Sequence, residues 1–148
     1  MKIREIKVNE VNKLLDCIMQ LSEYHNTISV NFKGSYPSRP YNETLDLFSE
    51  NLEKGQSRIA VIESGERIVG FCKVDMNGKN GKLDYLVVLQ EYRKQGFGKQ
   101  FMEWAMETFR KNNITRIEVK VVDGNDAIHL YEKYGFKINS HILWHCED

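Results

Sequence analysis

The apolar positions of this chain fall into two periods, and the changes between them mark its elements. KIREIKV, residues 2 to 8, alternates apolar and charged positions and predicts a first strand with Ile3, Ile6 and Val8 as its core partners. Asn9 then reads as an N-cap, and Val11, Leu14, Leu15, Ile18 and Leu21 recur at i, i+3, i+4, i+7 and i+10, a helix reaching about Tyr24. Residues 25 to 41, HNTISVNFKGSYPSRPY, hold both prolines and no period, so they predict a long exposed loop of the kind that carries function. Asn42 can cap a second helix with Leu45, Phe48 and Leu52 on one face and Gly55 ending it.

From Ser57 the period becomes extended. SRIAVIE, RIVGFCKVDM and KLDYLVV predict three antiparallel strands, joined at Ser64-Gly65-Glu66 and at Asn77-Gly78 with Lys79 to Gly81. A third helix runs from about Gly96 to Asn112 with Phe97, Phe101, Ala105 and Phe109 inward. ITRIEVKVV is a further strand, NDAIHLYEKY a further helix, and two short strands close the chain around Gly135-Phe136 and HILWHC. The order β-α-α-β-β-β-α-β-α-β-β, with no internal repeat, low-complexity tract or linker, predicts one α+β domain over residues 1–148.

Composition narrows the function. Lysine plus arginine (21) equals aspartate plus glutamate (21), so no overall field gathers nucleic acid or an anionic membrane. No apolar run approaches the roughly 20 residues of a membrane span. Cys17, Cys72 and Cys146 are odd in number and far apart, and MKIREIKVNE lacks the apolar core of a signal peptide, so a reducing cytoplasm is the expected location. His141, His145 and Cys146 invite a metal, but strand alternation sets Cys146 opposite the two histidines and no CxxC or HExxH completes a set, so no metal is expected. Neither Cys17 nor Cys72 has a paired histidine in a recognisable motif, which argues against a thiol nucleophile. No basic run interleaves with the aromatic residues as an RNA platform requires.

One loop carries chemistry. In EYRKQGFGKQF a glycine-bearing stretch joins a strand to a helix, a geometry in which several backbone N–H groups and the helix dipole converge on an anion. Arg93, Lys94 and Lys99 add full charges, and Gly96 and Gly98 leave room for close approach. A Walker A loop would need glycine at position 93, which is arginine. A dinucleotide fingerprint would need glycine at position 101, which is phenylalanine, and would follow the first strand of a βαβ unit rather than hairpins.

The stretch LVVLQEYRKQGFGKQF resembles the acetyl-coenzyme A signature of the Gcn5-related N-acetyltransferase (GNAT) family, Gln/Arg-x-x-Gly-x-Gly/Ala, with Arg93, Gly96 and Gly98 at its defining positions. NDAIHLYEKYGF is similar to that family's later helix, where an asparagine meets the pantetheine arm and a tyrosine faces the thioester sulfur; Asn125 and Tyr131 match, with Gly135-Phe136 following. Asn125 stands two residues before Ala127, one short of the usual spacing. The resemblance implies a mixed, mostly antiparallel central sheet flanked by about four helices, with acetyl-coenzyme A as cosubstrate and homodimers common among members. Cofactor contacts would come from Leu86, Val87 and Val88 in a splay between strands 83 to 88 and 115 to 121, and from Arg93, Lys94, Gln95, Gly96, Phe97, Gly98, Lys99 and Asn125.

The implied reaction is direct transfer of acetyl to a primary amine of a small molecule or peptide in a ternary complex. An alkylammonium with a pKa near ~10.4 must lose a proton first, for which Asp84 is the first candidate and Glu118 the second. Tyr131 would protonate the departing thiolate, a phenol near ~10 facing a thiol near ~8.5. By the same resemblance, the first two helices and the loop from His25 to Tyr41 would wall the acceptor cleft. The loop offers Phe32, Tyr36 and Tyr41 beside Lys33 and Arg39 and no acid between Glu23 and Glu43, which disfavours a polycation. The other class left open is a module that binds coenzyme A without transferring acetyl.

Overall fold

The computed structural model describes residues 1–147. Five strands form one sheet in the order β1-β2-β3-β4-β5: β1 (Arg4–Glu5), β2 (Ser57–Ser64), β3 (Arg67–Asn77), β4 (Asn80–Val88) and β5 (Arg116–Val119). Every pair is antiparallel except β4–β5, which is parallel because helix α3 (Phe97–Lys111) carries the chain back between them. The helices α1 (Leu15–Ile28) and α2 (Tyr41–Glu53) precede the sheet's hairpins, and α4 (Ile128–Glu132) follows β5. No helix among the described residues is long and apolar enough to cross a membrane.

Alternation along β3 sorts the helices onto two faces. Phe101 of α3 reaches Gly70, while Phe48 of α2 meets the next residue, Phe71, with ring centroids 6.1 Å apart. Successive strand residues face opposite ways, so α2 and α3 sandwich the sheet. Phe71, Phe101, Phe109, Ile59 and Val69 are fully covered, and burying side chains of that size contributes roughly 1.5–3 kcal/mol each. A central sheet flanked by helices is what the resemblance implied.

The ends of elements differ from expectation. Asn9 caps nothing: Ile6 is still hydrogen-bonded to Ile59, and the following 3-10 stretch Val8–Leu14 is closed by Glu10, whose carboxylate accepts from the Lys7 amide at 3.1 Å while held by Arg4 at 2.7 Å. Asn42 lies inside α2, which starts behind Pro40; the Pro40 carbonyl accepts from the amides of Glu43 and Thr44. Proline has no amide hydrogen to strand at a helix start. β5 keeps four of the nine residues expected, and α4 five of ten.

The two closing strands do not form. Residues 137–147 carry no regular structure, and Ile138, Ile142, Leu143 and Trp144 stay exposed, Trp144 meeting Phe32 at 5.5 Å between centroids. The outer edge of β5 is short and bears the exposed charges Arg116 and Glu118, which blunt it as a template for another strand.

Candidate functional site

The sheet comes apart in its last third. The ladder between β4 and β5 runs from Asn80–Arg116 to Leu83–Val119 and stops, although β4 continues to Val88. At that point Lys73 opposes Tyr85 and Val74 opposes Leu83, so Asp84 is the extra residue of a β-bulge, two positions before Leu86. Beyond the bulge, Leu86, Val87 and Val88 line one wall of a cleft of about 720 Å³, and Val119 to Val122, Leu130 and Tyr131 line the other.

One end of the cleft is the turn before α3. Gly96 is the cap of that helix and holds φ 86°, a left-handed conformation that glycine adopts without strain. No side chain caps the helix, and Gln100 is the first residue whose amide finds a carbonyl, that of Gly96 at 3.1 Å. The preceding amides are left at the mouth of a fifteen-residue helix, with Gly96, Phe97 and Gly98 lining the cleft. Lys94 lines it too. Arg93 does more than supply charge: its Nε donates to the Val88 carbonyl at 3.0 Å and its guanidinium lies 4.7 Å over the Tyr24 ring, tying loop, strand and α1 together. Val88 therefore has its carbonyl engaged from within the chain. Gln95 and Lys99 fall outside the lining, Lys99 turning along its helix to Glu103 at 4.0 Å.

Tyr131 closes the other wall. It is 7% exposed, packs edge-on against Phe136 at 6.0 Å, and burial, with the neighbouring Cys72 adding, pushes its phenol up to about 12. No buried side-chain oxygen or nitrogen among the described residues lacks a partner. Packed against Phe136, Tyr131 lines the cleft. Asn125 also lines the cleft, and its Oδ1 accepts from the Ala127 amide at 2.9 Å. That local bond spans two residues and fixes the side chain at the start of the turn into α4.

The two candidate bases part company. Asp84 lines the cleft, but its Oδ2 takes the Lys73 Nζ at 2.8 Å and its Oδ1 faces the Lys82 Nζ at 3.4 Å. Glu118 is exposed and lines a separate depression with Gln56, Asn80 and Arg116. It sits opposite Lys82 within the β4–β5 ladder, before the strands part.

Several residues of the site escaped the sequence reading. Lys73 is 1% exposed, grips Asp75 at 2.7 Å as well as Asp84, and lies 4.9 Å over the Phe48 ring. Its signal was a lone lysine two positions after Phe71, on the inward alternation of an otherwise apolar strand. His25 lines the cleft edge-on to Tyr36 at 5.3 Å, and burial lowers its pKa. Asp123 accepts from the Ser29 hydroxyl at 2.8 Å and from the Val30 and Asn31 amides at 2.8 and 2.9 Å, bonds that hold its carboxyl below the usual range. The neighbouring Gly124 has φ 84°, and a Cβ there would lie 2.2 Å from the Ile28 carbonyl oxygen. At the far end of the same loop the Asn26 amide both donates to and accepts from the Tyr36 backbone, at 2.7 and 2.9 Å. The segment from Ser29 to Tyr36 is thereby pinned at both ends.

The model of the acetyltransferase (GNAT) family matches residues 21–136. An uncharacterised, prophage-derived N-acetyltransferase of Bacillus subtilis, YokL, is 33% identical over 106 residues, 66% of this chain and 58% of its own length. The chain thus spans a little over half of that relative. A spermidine N(1)-acetyltransferase of Vibrio cholerae is 24% identical over 131 residues, covering 85% of this chain and 75% of its own. The solved structure of the PaiA N-acetyltransferase of Thermoplasma acidophilum in complex with coenzyme A superposes with a TM-score of 0.78 at 16% identity, over 95% of this chain and 92% of that one.

Proposed function

The chain belongs to the acetyltransferase (GNAT) family, and from that premise we propose that it moves an acetyl group from acetyl-coenzyme A to a primary amine of a small molecule or peptide, by direct attack in a ternary complex. The observation that carries this reading is the joining of two features in one cleft: an uncapped helix N-terminus beside Lys94, and a strand, Leu86 to Val88, that has lost its neighbour. An anion fits the first and an extended amide chain fits the second. Acetyl-coenzyme A has both. The Gly96 to Gly98 turn and Lys94 would hold its phosphates, Arg93 the register of that turn against β4, and Asn125 the wall opposite.

Free backbone groups beyond the Asp84 bulge would polarise the thioester carbonyl as charge develops on its oxygen, an interaction whose loss typically costs ~2.7–4 kcal/mol of barrier. The amine nitrogen forms the bond to the acetyl carbon, the carbon–sulfur bond breaks, and the proton lost by the ammonium balances the thiol released. Asp84 has both oxygens facing lysines, so that proton leaves through water of the cleft rather than directly onto the carboxylate. Tyr131, with its phenol pushed up to about 12, would give up its proton completely to a thiolate near ~8.5 only at a cost of about 5 kcal/mol. A hydrogen bond from the phenol to the departing sulfur would serve the same step at lower cost than full transfer of the proton.

Two measurements test the reading together. Desulfo-coenzyme A titrated by calorimetry should bind, and Gly96→Asp should weaken it at least tenfold, because a carboxylate placed in the anion turn repels phosphate. A Cβ at Gly96 meets nothing within 4 Å and aspartate tolerates a left-handed backbone better than most residues, so the variant should stay folded. Thiol release from acetyl-coenzyme A across a panel of amines then separates a transferase from a module that only binds. Unchanged affinity in folded Gly96→Asp removes the phosphate assignment.

A further inference from the structure

The acceptor end of the cleft has a charge balance that selects among amines. Its carboxylates are Asp75 and Asp84, and both are occupied from inside the protein. Lys73, 1% exposed, bonds Asp75 at 2.7 Å and Asp84 at 2.8 Å; Ser57 donates to Asp75 at 2.5 Å, and Lys82 stands 3.4 Å from Asp84. The ammonium of Lys73 cannot swing away to make room, since it is enclosed and seated over the Phe48 ring. An incoming polycation therefore finds no free carboxylate there. The third acid of the lining, Asp126, belongs to the opposite wall beside Asn125.

The lining has a surplus of cations. Arg93 and Lys94 belong to the phosphate end, Lys120 stands on the opposite wall with Val119 to Val122, and Lys73 and Lys82 are matched by the two aspartates, which leaves Arg39 on this side. Arg39 lies in the segment between α1 and α2, makes none of the ion pairs found among the described residues, and is close enough to the Tyr85 phenol to oppose the upward shift that burial gives it. The same cleft is lined by the rings of Tyr36, Tyr41, Phe48 and Tyr85, the last two 5.0 Å apart and set edge to face.

We propose that the acceptor is an amine carried on a flat apolar body whose other end bears a carboxylate, with Arg39 taking the carboxylate and the aromatic walls taking the body. This rests on the acetyl-transfer reading above and narrows its substrate class. A guanidinium pairs a carboxylate through two parallel hydrogen bonds, which a neutral amide of the same shape does not reproduce.

Matched probes test it. para-(Aminomethyl)benzoate and para-(aminomethyl)benzamide share amine and ring and differ in the anion; spermidine supplies the polycation. With wild-type enzyme and acetyl-coenzyme A the benzoate should exceed the benzamide in kcat/KM by roughly tenfold or more, with spermidine the poorest, and in Arg39→Gln the benzoate-to-benzamide ratio should fall towards one. Equal use of benzoate and benzamide, a ratio that survives in Arg39→Gln, or spermidine as the best acceptor overturns the proposal while leaving acetyl transfer standing. Calorimetric titration of both ring compounds into the enzyme–desulfo-coenzyme A complex gives a readout independent of turnover. Tighter benzoate binding that Arg39→Gln abolishes, in an enzyme that acetylates none of the three, would support the acceptor class and overturn the transfer reading; no difference in that titration overturns the class.

Discussion

Replacing Lys73 by methionine isolates what the buried ammonium does for the fold. Methionine keeps most of the aliphatic stem and removes the ammonium that Asp75 and Asp84 share and that lies over the Phe48 ring. Breaking a buried ion pair by deleting one partner typically costs 3–5 kcal/mol, because the surviving charge is left uncompensated. Here the survivors are two carboxylates, with side chains 29% and 18% exposed, so water recovers part of the loss. Discounted for that screening, the expected destabilisation is about 2–3 kcal/mol. At about 2–4 °C per kcal/mol for a chain of this size, the melting temperature should fall by about 4–12 °C. Urea titrations followed by circular dichroism would measure it. The double variant Lys73→Met/Asp84→Asn should regain about 1 kcal/mol, since one of the facing charges is then gone. A single variant within about 0.5 kcal/mol of wild type, or a double variant weaker than the single, would mean that Lys73 acts by packing and that its charge is idle.

Two further changes address the reaction and the acceptor loop. Tyr131→Phe should lower kcat by about 10–150-fold, the worth of one hydrogen bond to a charged group, with desulfo-coenzyme A affinity and melting temperature little changed; wild-type turnover in a single-turnover measurement would reduce Tyr131 to a packing residue. Asp123→Ala should raise the KM for the amine several-fold more than that for acetyl-coenzyme A, because it frees Ser29 to Asn31 and leaves the phosphate turn untouched. Since the folded state holds the Asp123 carboxyl below its ordinary value, the loop's anchoring is present above the unfolded pKa, near ~3.9, and is lost as pH falls through the lower folded value. Amine KM rising only at acid pH in wild type, and flat there in Asp123→Ala, is the expected pattern; parallel profiles would remove the clamp.

Periodicity made the centre of the molecule legible and its margins illegible, for a physical reason. The strands from Ser57 to Val88 and the helix from Phe97 to Lys111 bury one face against a partner on each side, so their apolar spacing is dictated by packing. The turn at Gly96 was readable because glycine takes its left-handed conformation without strain and leaves room for an anion. The apolar run Ile142 to Trp144 suggested a closing strand, yet strand formation needs a neighbour, and a short charged edge supplied none. Lys73 was invisible as a site residue because its role depends on Asp75 two positions on and on Asp84 across a bulge that no local pattern announces. Asp123 pairs with residues more than ninety positions earlier, a distance over which single-sequence reasoning has no purchase.

The parting of β4 and β5 after Leu83 and Val119 makes the stability of this protein a function of its surroundings. A molecule that lies along Leu86 to Val88 joins the native state and has no counterpart in the unfolded chain, so it shifts the folding equilibrium by mass action. At a hundred times its dissociation constant such a ligand adds about 2.7 kcal/mol, a large share of the 5–15 kcal/mol by which domains ordinarily stay folded. A lesion elsewhere in the core is then tolerated in a cell rich in that ligand and exposed in one that is starved of it. The metabolic state of the host becomes one of the forces holding the sheet together.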